Sequence, residues 1–158
     1  MDATFYLEGA VFNYRVAAVI EINGHVLIHK QVKDQHWALP GGRVELMEDS
    51  QTSILREIKE ELGYEVQVDR LLWFTENFFI YNSKNYHEIG LYYKVSLIDE
   101  NFSFTTEPFY GEEGDRLIYQ WVQIDQLENI LLFPEFLRKS LAEIPLTAQH
   151  LIVKQYSI

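Results

Sequence analysis

Residues 41–64 read GGRVELMEDSQTSILREIKEELGY, and this stretch decides how the rest of the chain is organised. Two glycines lead through an acidic segment into a segment with helical periodicity. Side chains at i, i+3 and i+4 share one face of an α-helix, and these positions hold Glu57, Glu60 and Glu61. The sequence therefore predicts a helix that presents three carboxylates together.

The ends of this helix are marked by residues with clear capping preferences. Asp49 or Ser50 is expected as the N-cap, and Gly63 suits the left-handed residue that follows a helix, so the helix is predicted over 50–62. Ser53 is expected to pack closely against neighbouring structure. The side chains predicted to face the core are Ile54, Leu55, Ile58 and Leu62.

Two interpretations of the acidic face follow from residue chemistry. Most charged helix faces are simply solvated, but such faces usually alternate in sign, whereas Glu57 and Glu61 are like charges at i, i+4. Glu48 and Asp49 add negative charge near the helix start, where the helix dipole favours it. Clustered carboxylates that share an ion with phosphate oxygens suit Mg²⁺, so we favour a metal site over a solvated face.

The same residues resemble the Nudix box of the MutT-type Nudix hydrolases, whose pattern is G-x5-E-x7-R-E-U-x-E-E-x-G-U, where U is a bulky apolar residue. All seven fixed positions match. They are Gly42, Glu48, Arg56, Glu57, Glu60, Glu61 and Gly63. The preceding residues 37–42, WALPGG, resemble the usual lead-in of that family. Tyr64 at the last U position and Met47 in the loop are small departures that touch no ligand position.

The resemblance implies an α/β (α+β) fold, the Nudix α/β/α sandwich with a mixed central sheet. It also implies hydrolysis of a phosphoanhydride, with Mg²⁺ (or Mn²⁺) held by carboxylates. The expected metal ligands are the backbone carbonyl near Gly42 and the side chains of Glu48, Glu57, Glu60, Glu61 and Glu113. Arg56 is expected to orient a glutamate, and Glu57 matches the position that steers or deprotonates water. For Glu113, a solvated loop acid is an equal alternative.

Other residues are candidates for contacts with the rest of a substrate. Arg15 and Arg43 suit phosphates, since the guanidinium fork matches them, although a lone arginine on a strand is commonly a structural ion pair. Trp37, Phe78, Phe79 and Tyr81 are candidates for stacking on a base, although aromatic residues usually belong to the core. We expect His87 and Glu88 to form a structural pair, and no second histidine at a suitable spacing indicates zinc.

Composition restricts the class of protein. At 158 residues with 47% hydrophobic residues, the chain is expected to be one packed domain over 1–158. The net charge of −11 argues against binding to nucleic-acid polymers, while a divalent cation can still bridge an acidic site to a small anionic ligand. No cysteine, membrane-span-like run or signal-like start is present, so a cytoplasmic enzyme without membrane contact is expected.

Strand and turn patterns fill the rest of the chain. Residues 1–10 are expected to form an edge strand, and a hairpin turn is predicted at Asn23-Gly24. A turn is also predicted at 82–85, and an irregular acidic loop at 102–114. The predicted strands are 12–22, 25–31, 64–68, 71–81, 86–97, 117–124 and 151–155. A short turn or helix is predicted at 125–130 and a helix at 133–143.

The leading functional hypothesis is a hydrolase of a nucleoside diphosphate linked to another group. The candidates are a nucleoside or deoxynucleoside triphosphate, possibly oxidised, and ADP-ribose or a related sugar nucleotide. Selectivity is expected in the loops 32–37, 82–88 and 101–116. The alternative is a catalytically silent Nudix-like module that senses a nucleotide. Aromatic strand edges make a homodimer a further hypothesis.

Overall fold

Two β-sheets, two α-helices and one 3-10 helix form the part of the chain described by a computed structural model, residues 1–99 and 102–155. The strands are β1 (Thr4–Leu7), β2 (Ala10–Val19), β3 (Glu21–Ile22), β4 (His25–Gln31), β5 (Gly41–Arg43), β6 (Val66–Tyr81), β7 (Lys84–Leu97), β8 (Phe109–Tyr110), β9 (Leu117–Gln123) and β10 (Gln149–Gln155). The α-helices are α1 (Ser50–Leu62) and α2 (Leu137–Ser140), and a 3-10 helix spans Ile124–Asn129.

The larger sheet is mixed and carries the centre of the molecule. Its order is β1-β2-β7-β6-β10, with β5 also pairing with β2. Strand β2 runs parallel to β7, β10 runs parallel to β6, and β6 and β7 form a long antiparallel hairpin. The turn of this hairpin has left-handed backbone at Asn82 and Ser83, which confirms the predicted turn. Strand β1 lies at the edge of the sheet, as predicted, and it pairs antiparallel with β2.

The smaller sheet has the order β3-β4-β9-β8. Asn23-Gly24 forms the turn between β3 and β4, and both residues have positive φ, as such a turn requires. Strand β8 lies inside the segment predicted as irregular and pairs with β9. Position 101 of the predicted selectivity loop lies outside the described residues.

A hydrophobic core lies on each side of the sheets. One core packs Ile54 and Ile58 of α1 against β2, β7 and β9, and includes the buried Trp121. The other packs Trp73 and Tyr92 against the 3-10 helix and α2, including Leu137. Helical segments on both faces of a mixed sheet confirm the predicted α+β class and sandwich architecture.

Helix α1 begins and ends where its sequence predicts. The Asp49 side chain accepts a hydrogen bond from the Thr52 backbone N–H over 2.9 Å, so Asp49 is the N-cap. Gly63 ends the helix at φ 73°, and its N–H donates to the Lys59 carbonyl. Ser53 is fully buried, as expected. Leu55, however, is 39% exposed, so its assignment to the core face was wrong because the buried stripe centres on Ile54 and Ile58.

Three other predictions require correction. The strand predicted at 12–22 is divided between β2 of the larger sheet and β3 of the smaller one. The strands predicted at 64–68 and 71–81 are one continuous strand, β6. Its register against β7 shifts between Val68 and Arg70 and again between Leu71 and Trp73, but the pairing continues past both shifts. The helix predicted at 133–143 is α-helical only at Leu137–Ser140. The turns before it close with i→i+3 hydrogen bonds, such as Leu137 N–H to the Pro134 carbonyl over 3.1 Å, because this segment winds in the tighter 3-10 manner.

Among the described residues, no helix has the length and apolar character needed to cross a membrane.

Candidate active site

The carboxylate of Glu57 lies directly on the backbone of Gly42. A Cβ atom built on Gly42 would stand 2.3 Å from the Glu57 carboxyl carbon and 2.4 and 2.6 Å from its two oxygens. Strand β5 therefore approaches α1 this closely only because residue 42 has no side chain. The glycine and the glutamate of the motif are thus brought into contact.

Arg56 gathers three of the motif carboxylates. Its Nε and Nη2 donate to the two oxygens of Glu48 over 2.7 and 2.9 Å, the bidentate geometry that a guanidinium favours. Its Nη1 donates to Glu57 over 2.9 Å and to Glu60 over 3.2 Å. Its Nη2 also donates to the Arg43 carbonyl over 3.2 Å, which ties the helix to the end of β5.

The loop between β5 and α1 is held by Glu48. Its Oε1 accepts the Glu45 backbone N–H over 3.1 Å in addition to the bonds from Arg56. The hydrogen bond from Arg56 is the main reason that the pKa of Glu48 is lowered to about 2. Glu48 therefore carries its negative charge at every physiological pH.

Glu57 is half-buried and lies in a more desolvated place than Glu48. Burial raises the pKa of Glu57, and the neighbouring Arg56 opposes that rise. The carboxylate is thus held near Gly42 by one strong hydrogen bond while it is partly stripped of water.

Glu61 is the most deeply buried carboxylate of the helix, with 5% of its surface exposed. It accepts a hydrogen bond from the Tyr119 hydroxyl over 3.2 Å, and burial raises its pKa to about 8. The ring of His29 lies beside it, with Nδ1 3.9 Å from Glu61 Oε2 and without a hydrogen-bond partner. Burial, with Arg15 and Arg116 nearby, lowers the pKa of His29 to about 3, so this histidine is neutral.

A cleft of about 440 Å³ opens beside these acids. Strand β5 separates the two regions: Gly41 and Arg43 line the cleft, while Gly42 contacts Glu57 on α1. Glu61 belongs to both the carboxylate group and the cleft, because it is a residue of α1 that also lines the cleft. The carboxylate group and the cleft are therefore adjoining parts of one site.

Three arginines line the cleft. Arg15 donates to the Leu39 carbonyl over 3.2 Å and has no carboxylate partner among the described residues, so the structural ion pair considered as its alternative does not form there. Arg43 donates to the Tyr6 hydroxyl over 2.7 Å and lies 3.7 Å from Asp2. Arg116, which the sequence reading missed, also lines the cleft. These cations share the cleft lining with the acids Glu61 and Glu88.

Glu113 lies on the loop before β9 and outside the cleft lining. Its carboxylate is 3.5 Å from the Arg116 guanidinium, an exposed pair. The loop itself is held to α1, because the Glu112 N–H donates to the Glu61 carbonyl over 2.7 Å. Glu113 is thus near the acids but paired with a cation, and its role as a ligand remains a prediction.

Three of the four aromatic candidates line the cleft, and the fourth lies on the other face of the larger sheet. Trp37, Phe79 and Tyr81 line the cleft, and Lys30 Nζ lies 5.2 Å from the centre of the Trp37 ring. Phe78 points to the opposite face, where its ring packs 4.6 Å from that of His87. Phe78 was therefore a wrong candidate for this cleft.

Glu88 is a cleft residue that sequence reasoning missed. The expected pair of His87 and Glu88 does not form, because neighbouring residues of a strand point to opposite faces. His87 packs between Phe12 and Phe78, while Glu88 lies in the cleft and accepts a hydrogen bond from Asn13 over 2.8 Å. The period-two alternation of β7 was the available signal.

The acidic side chains near Gly42 are candidate ligands for a divalent ion. No three His, Asp or Glu side chains of residues 1–99 and 102–155 form a ready-made metal centre, because Arg56 draws Glu48, Glu57 and Glu60 to itself. The available donors are nevertheless carboxylate oxygens around a backbone that a Cβ would block. This set fits an ion such as Mg²⁺, which keeps water and phosphate oxygens among its ligands.

Comparisons with known proteins agree with this geometry. A family model described as the NUDIX domain matches residues 12–144. The nucleoside triphosphatase NudI of Klebsiella pneumoniae (strain 342) is 30% identical over 121 residues, which are 72% of this chain and 84% of that protein. A MutT-like protein of Streptomyces ambofaciens is 37% identical over 59 residues, which are 37% of this chain and 38% of that protein.

A solved structure shows the same likeness. The crystal structure of a UDP-X diphosphatase superposes with a TM-score of 0.60 at 25% identity, covering 88% of this chain and 66% of that one. Fold, motif geometry and family model therefore agree on the class of protein. The chain belongs to the NUDIX domain family, the Nudix hydrolases.

Proposed function

We propose that this chain is a Mg²⁺-dependent pyrophosphohydrolase that cleaves a phosphoanhydride of a nucleoside diphosphate linked to another group. Mn²⁺ is expected to replace Mg²⁺. The substrate class includes nucleoside and deoxynucleoside triphosphates, oxidised or not, and sugar nucleotides such as ADP-ribose. The names of the relatives, a nucleoside triphosphatase and a UDP-X diphosphatase, support this class.

The observation that carries the proposal is the position of β5 between α1 and the cleft. Gly42 touches Glu57 on one side, and its neighbours Gly41 and Arg43 line the cleft on the other. A phosphate chain lying along the cleft would pass close to the helix carboxylates. An acidic helix at one end of an arginine-lined cleft suits cleavage of an anion next to bound cations.

The proposed metal ligands are Glu57, Glu60 and Glu61, with Glu48, Glu113 and the Gly42 carbonyl as further donors. A divalent ion bound there supplies charge neutralisation of the phosphate oxygens and lowers the pKa of water. Within the chain, Arg56 acts as a positioning residue, because it hydrogen-bonds to three of these carboxylates.

Glu57 is proposed as the base that orients or deprotonates the attacking water. It is half-buried, its pKa is raised by burial, and its carboxylate lies at the junction of α1 and β5. A carboxylate with a raised pKa accepts a proton more readily than an exposed one.

The remainder of the substrate is proposed to bind along the cleft. Arg15 and Arg43 would contact the phosphates, and Trp37 and Phe79 would contact the base. The partner is thus a small nucleotide and not a nucleic-acid polymer. A cytoplasmic location and a homodimer remain proposals.

The experiment that tests the function is a hydrolysis panel with product identification. Purified protein is incubated with nucleoside triphosphates and sugar nucleotides, with Mg²⁺ and with excess chelator. Reaction in ¹⁸O-labelled water shows which phosphorus is attacked. We expect turnover that disappears with chelator and returns with Mg²⁺ or Mn²⁺. Turnover that persists in chelator would contradict the metal assignment.

A variant pair sharpens this experiment. Glu60→Gln removes a ligand charge from an exposed side chain that makes no core contact, so most activity should be lost while the fold remains. Glu65→Gln is the matched control, because Glu65 pairs with Lys59 on the surface just beyond α1. Nucleotide binding without turnover in the wild type would instead favour the silent sensor module.

A further inference from the structure

A row of buried polar side chains crosses the floor of the cleft on three adjacent strands. Asn13 on β2 is the register partner of Glu88 on β7, which in turn is the partner of Asn77 on β6. All three line the cleft and have 5%, 6% and 3% of their surface exposed. Burying polar groups in a sheet costs free energy unless they are hydrogen-bonded. Donor and acceptor atoms of this row that have no partner in the protein therefore indicate which groups of a ligand the row can bind.

Hydrogen bonds from outside the row fix the orientation of its two amides. Thr4 Oγ1 donates to Asn13 Oδ1 over 2.9 Å, so Asn13 turns Nδ2 towards Glu88 Oε2, 2.8 Å away. At the other end, Gln155 Nε2 donates to Asn77 Oδ1 over 3.1 Å. The Glu135 backbone N–H fixes Gln155 in turn by donating to its Oε1 over 3.2 Å. Asn77 therefore offers its Nδ2 as a donor.

Two atoms of the row retain unused capacity. Among the described residues, Glu88 Oε1 accepts no hydrogen bond and Asn77 Nδ2 donates none. The Glu88 carboxylate also has no Lys, Arg or His partner within that part of the chain. The cleft floor thus presents one N–H donor beside a carboxylate that has free lone pairs.

This arrangement matches the pairing edge of one nucleobase. Guanine carries the acceptor O6, the donor N1–H and the donor N2–H₂ in sequence. A carboxylate accepts from two parallel N–H groups, and the adjacent Asn77 amide donates to O6. Adenine and cytosine carry a donor where guanine carries O6, and uracil ends in an acceptor that would face the carboxylate. The floor is therefore complementary to guanine alone among the four common bases.

We propose that Glu88 and Asn77 select guanine nucleotides in this cleft. The inference rests on the proposed function and narrows its substrate class. Glu88 and Asn77 are specificity residues in this proposal, and neither takes part in the cleavage step.

The spacing along β2 agrees with a nucleotide bound in this way. Gly42 pairs with Val16, three residues from Asn13 along β2, which is roughly 10 Å at about 3.3 Å per residue. A ribose and its first phosphate fill this distance between the base and the acids of α1. Arg15, two residues from Asn13 and on the same face, lies along that path.

Aromatic rings lie beside the polar row. Phe79 and Tyr86 stack on one another with ring centres 4.9 Å apart and planes 10° apart. They pair across β6 and β7, two residues from the pair Asn77 and Glu88 and on the same face of the sheet. Side chains stand roughly perpendicular to a sheet. A base that meets the floor with its edge would therefore lie alongside these rings.

The test measures base preference by binding, independently of hydrolysis. Isothermal titration calorimetry of the wild type with GDP, IDP and ADP compares guanine with a base that lacks only the N2 amino group and with adenine. We expect GDP to bind about 10- to 100-fold more tightly than ADP, and about 10-fold more tightly than IDP. Equal affinities for GDP and ADP would overturn the proposal.

A variant changes the expected preference in a defined direction. Glu88→Gln replaces one acceptor by a donor, so GDP affinity should fall about 10- to 100-fold. Asn13 Nδ2 already donates to Glu88 Oε2, so the remaining oxygen of the variant stays at that position and its new amide nitrogen faces the base. Adenine has an acceptor at N1 where guanine has N1–H, so ADP affinity should not fall and the preference for GDP over ADP should shrink. Glu76→Gln is the matched control, because Glu76 lies on β6 with its side chain on the other face, bound to His150. An unchanged ratio of GDP to ADP affinity in Glu88→Gln would contradict the assignment.

The outcomes separate this inference from the proposed function. Selective GDP binding without hydrolysis of any nucleotide supports the guanine site and rejects the enzyme. Hydrolysis with kcat/KM values equal for guanine and adenine substrates supports the enzyme and rejects the guanine site. Circular dichroism melting of each variant shows whether a loss of binding reflects unfolding.

Discussion

Gly42→Ala is a direct test of the contact between β5 and α1. The added Cβ would stand 2.3 Å from the carboxyl carbon of Glu57, whereas carbon atoms in contact are about 3.5–4.0 Å apart. The carboxylate must therefore move by at least about 1 Å. A displacement of that size in a catalytic group costs about 100-fold in rate. We expect kcat/KM to fall on the order of 100-fold.

The assay is steady-state hydrolysis of the best substrate in Mg²⁺, together with thermal unfolding of the same samples. Glu57→Asp provides the control, because it shortens the side chain by one methylene and makes room for the new methyl group. If the clash is the cause, the loss in the double variant is smaller than the sum of the two single losses. Near-wild-type activity in Gly42→Ala would refute the reasoning, as would fully additive losses.

Other predictions concern the helix that carries the carboxylates. Gly63→Ala should lower the free energy of unfolding by about 1–2 kcal/mol in urea denaturation, because residue 63 has φ 73°, while Gly63→Asn should lose less. Equal losses would contradict the left-handed cap. Ile58→Ala should cost about 2–5 kcal/mol, since Ile58 is fully buried, whereas Leu55→Ala should cost under about 1 kcal/mol. Similar costs for Ile58 and Leu55 would show that the buried stripe is misassigned.

Local signals predicted the carboxylate helix well. Asp49 and Gly63 are read from the sequence because capping depends on a few neighbouring residues. The error at Leu55 arose because periodicity gives the centre of an apolar stripe but not its width. The width depends on how the sheet beneath the helix is shaped.

Non-local structure explains what the sequence did not predict. Glu88 becomes a cleft residue because β7 pairs with β2 on one side and β6 on the other, in a register that aligns it with Asn13 and Asn77. Nothing near position 88 in the sequence states that register. Arg116 was missed for the same reason, since β9 reaches the cleft only by pairing with β4.

The expected roles of the motif residues were a prediction of a different kind. They came from a resemblance, and the geometry adds the contacts that make those roles chemically reasonable. Arg56 bonds to the carboxylates it was expected to orient.

The guanidinium of Arg56 has a consequence for how the enzyme would exchange its ion between turnovers. The carboxylates of Glu48, Glu57 and Glu60 would repel each other if a bound cation left with product. Arg56 hydrogen-bonds to all three of these acids, so its positive charge would hold them in place without an ion. If the proposed ion binds here, its departure would leave in place the carboxylates that bind the next one.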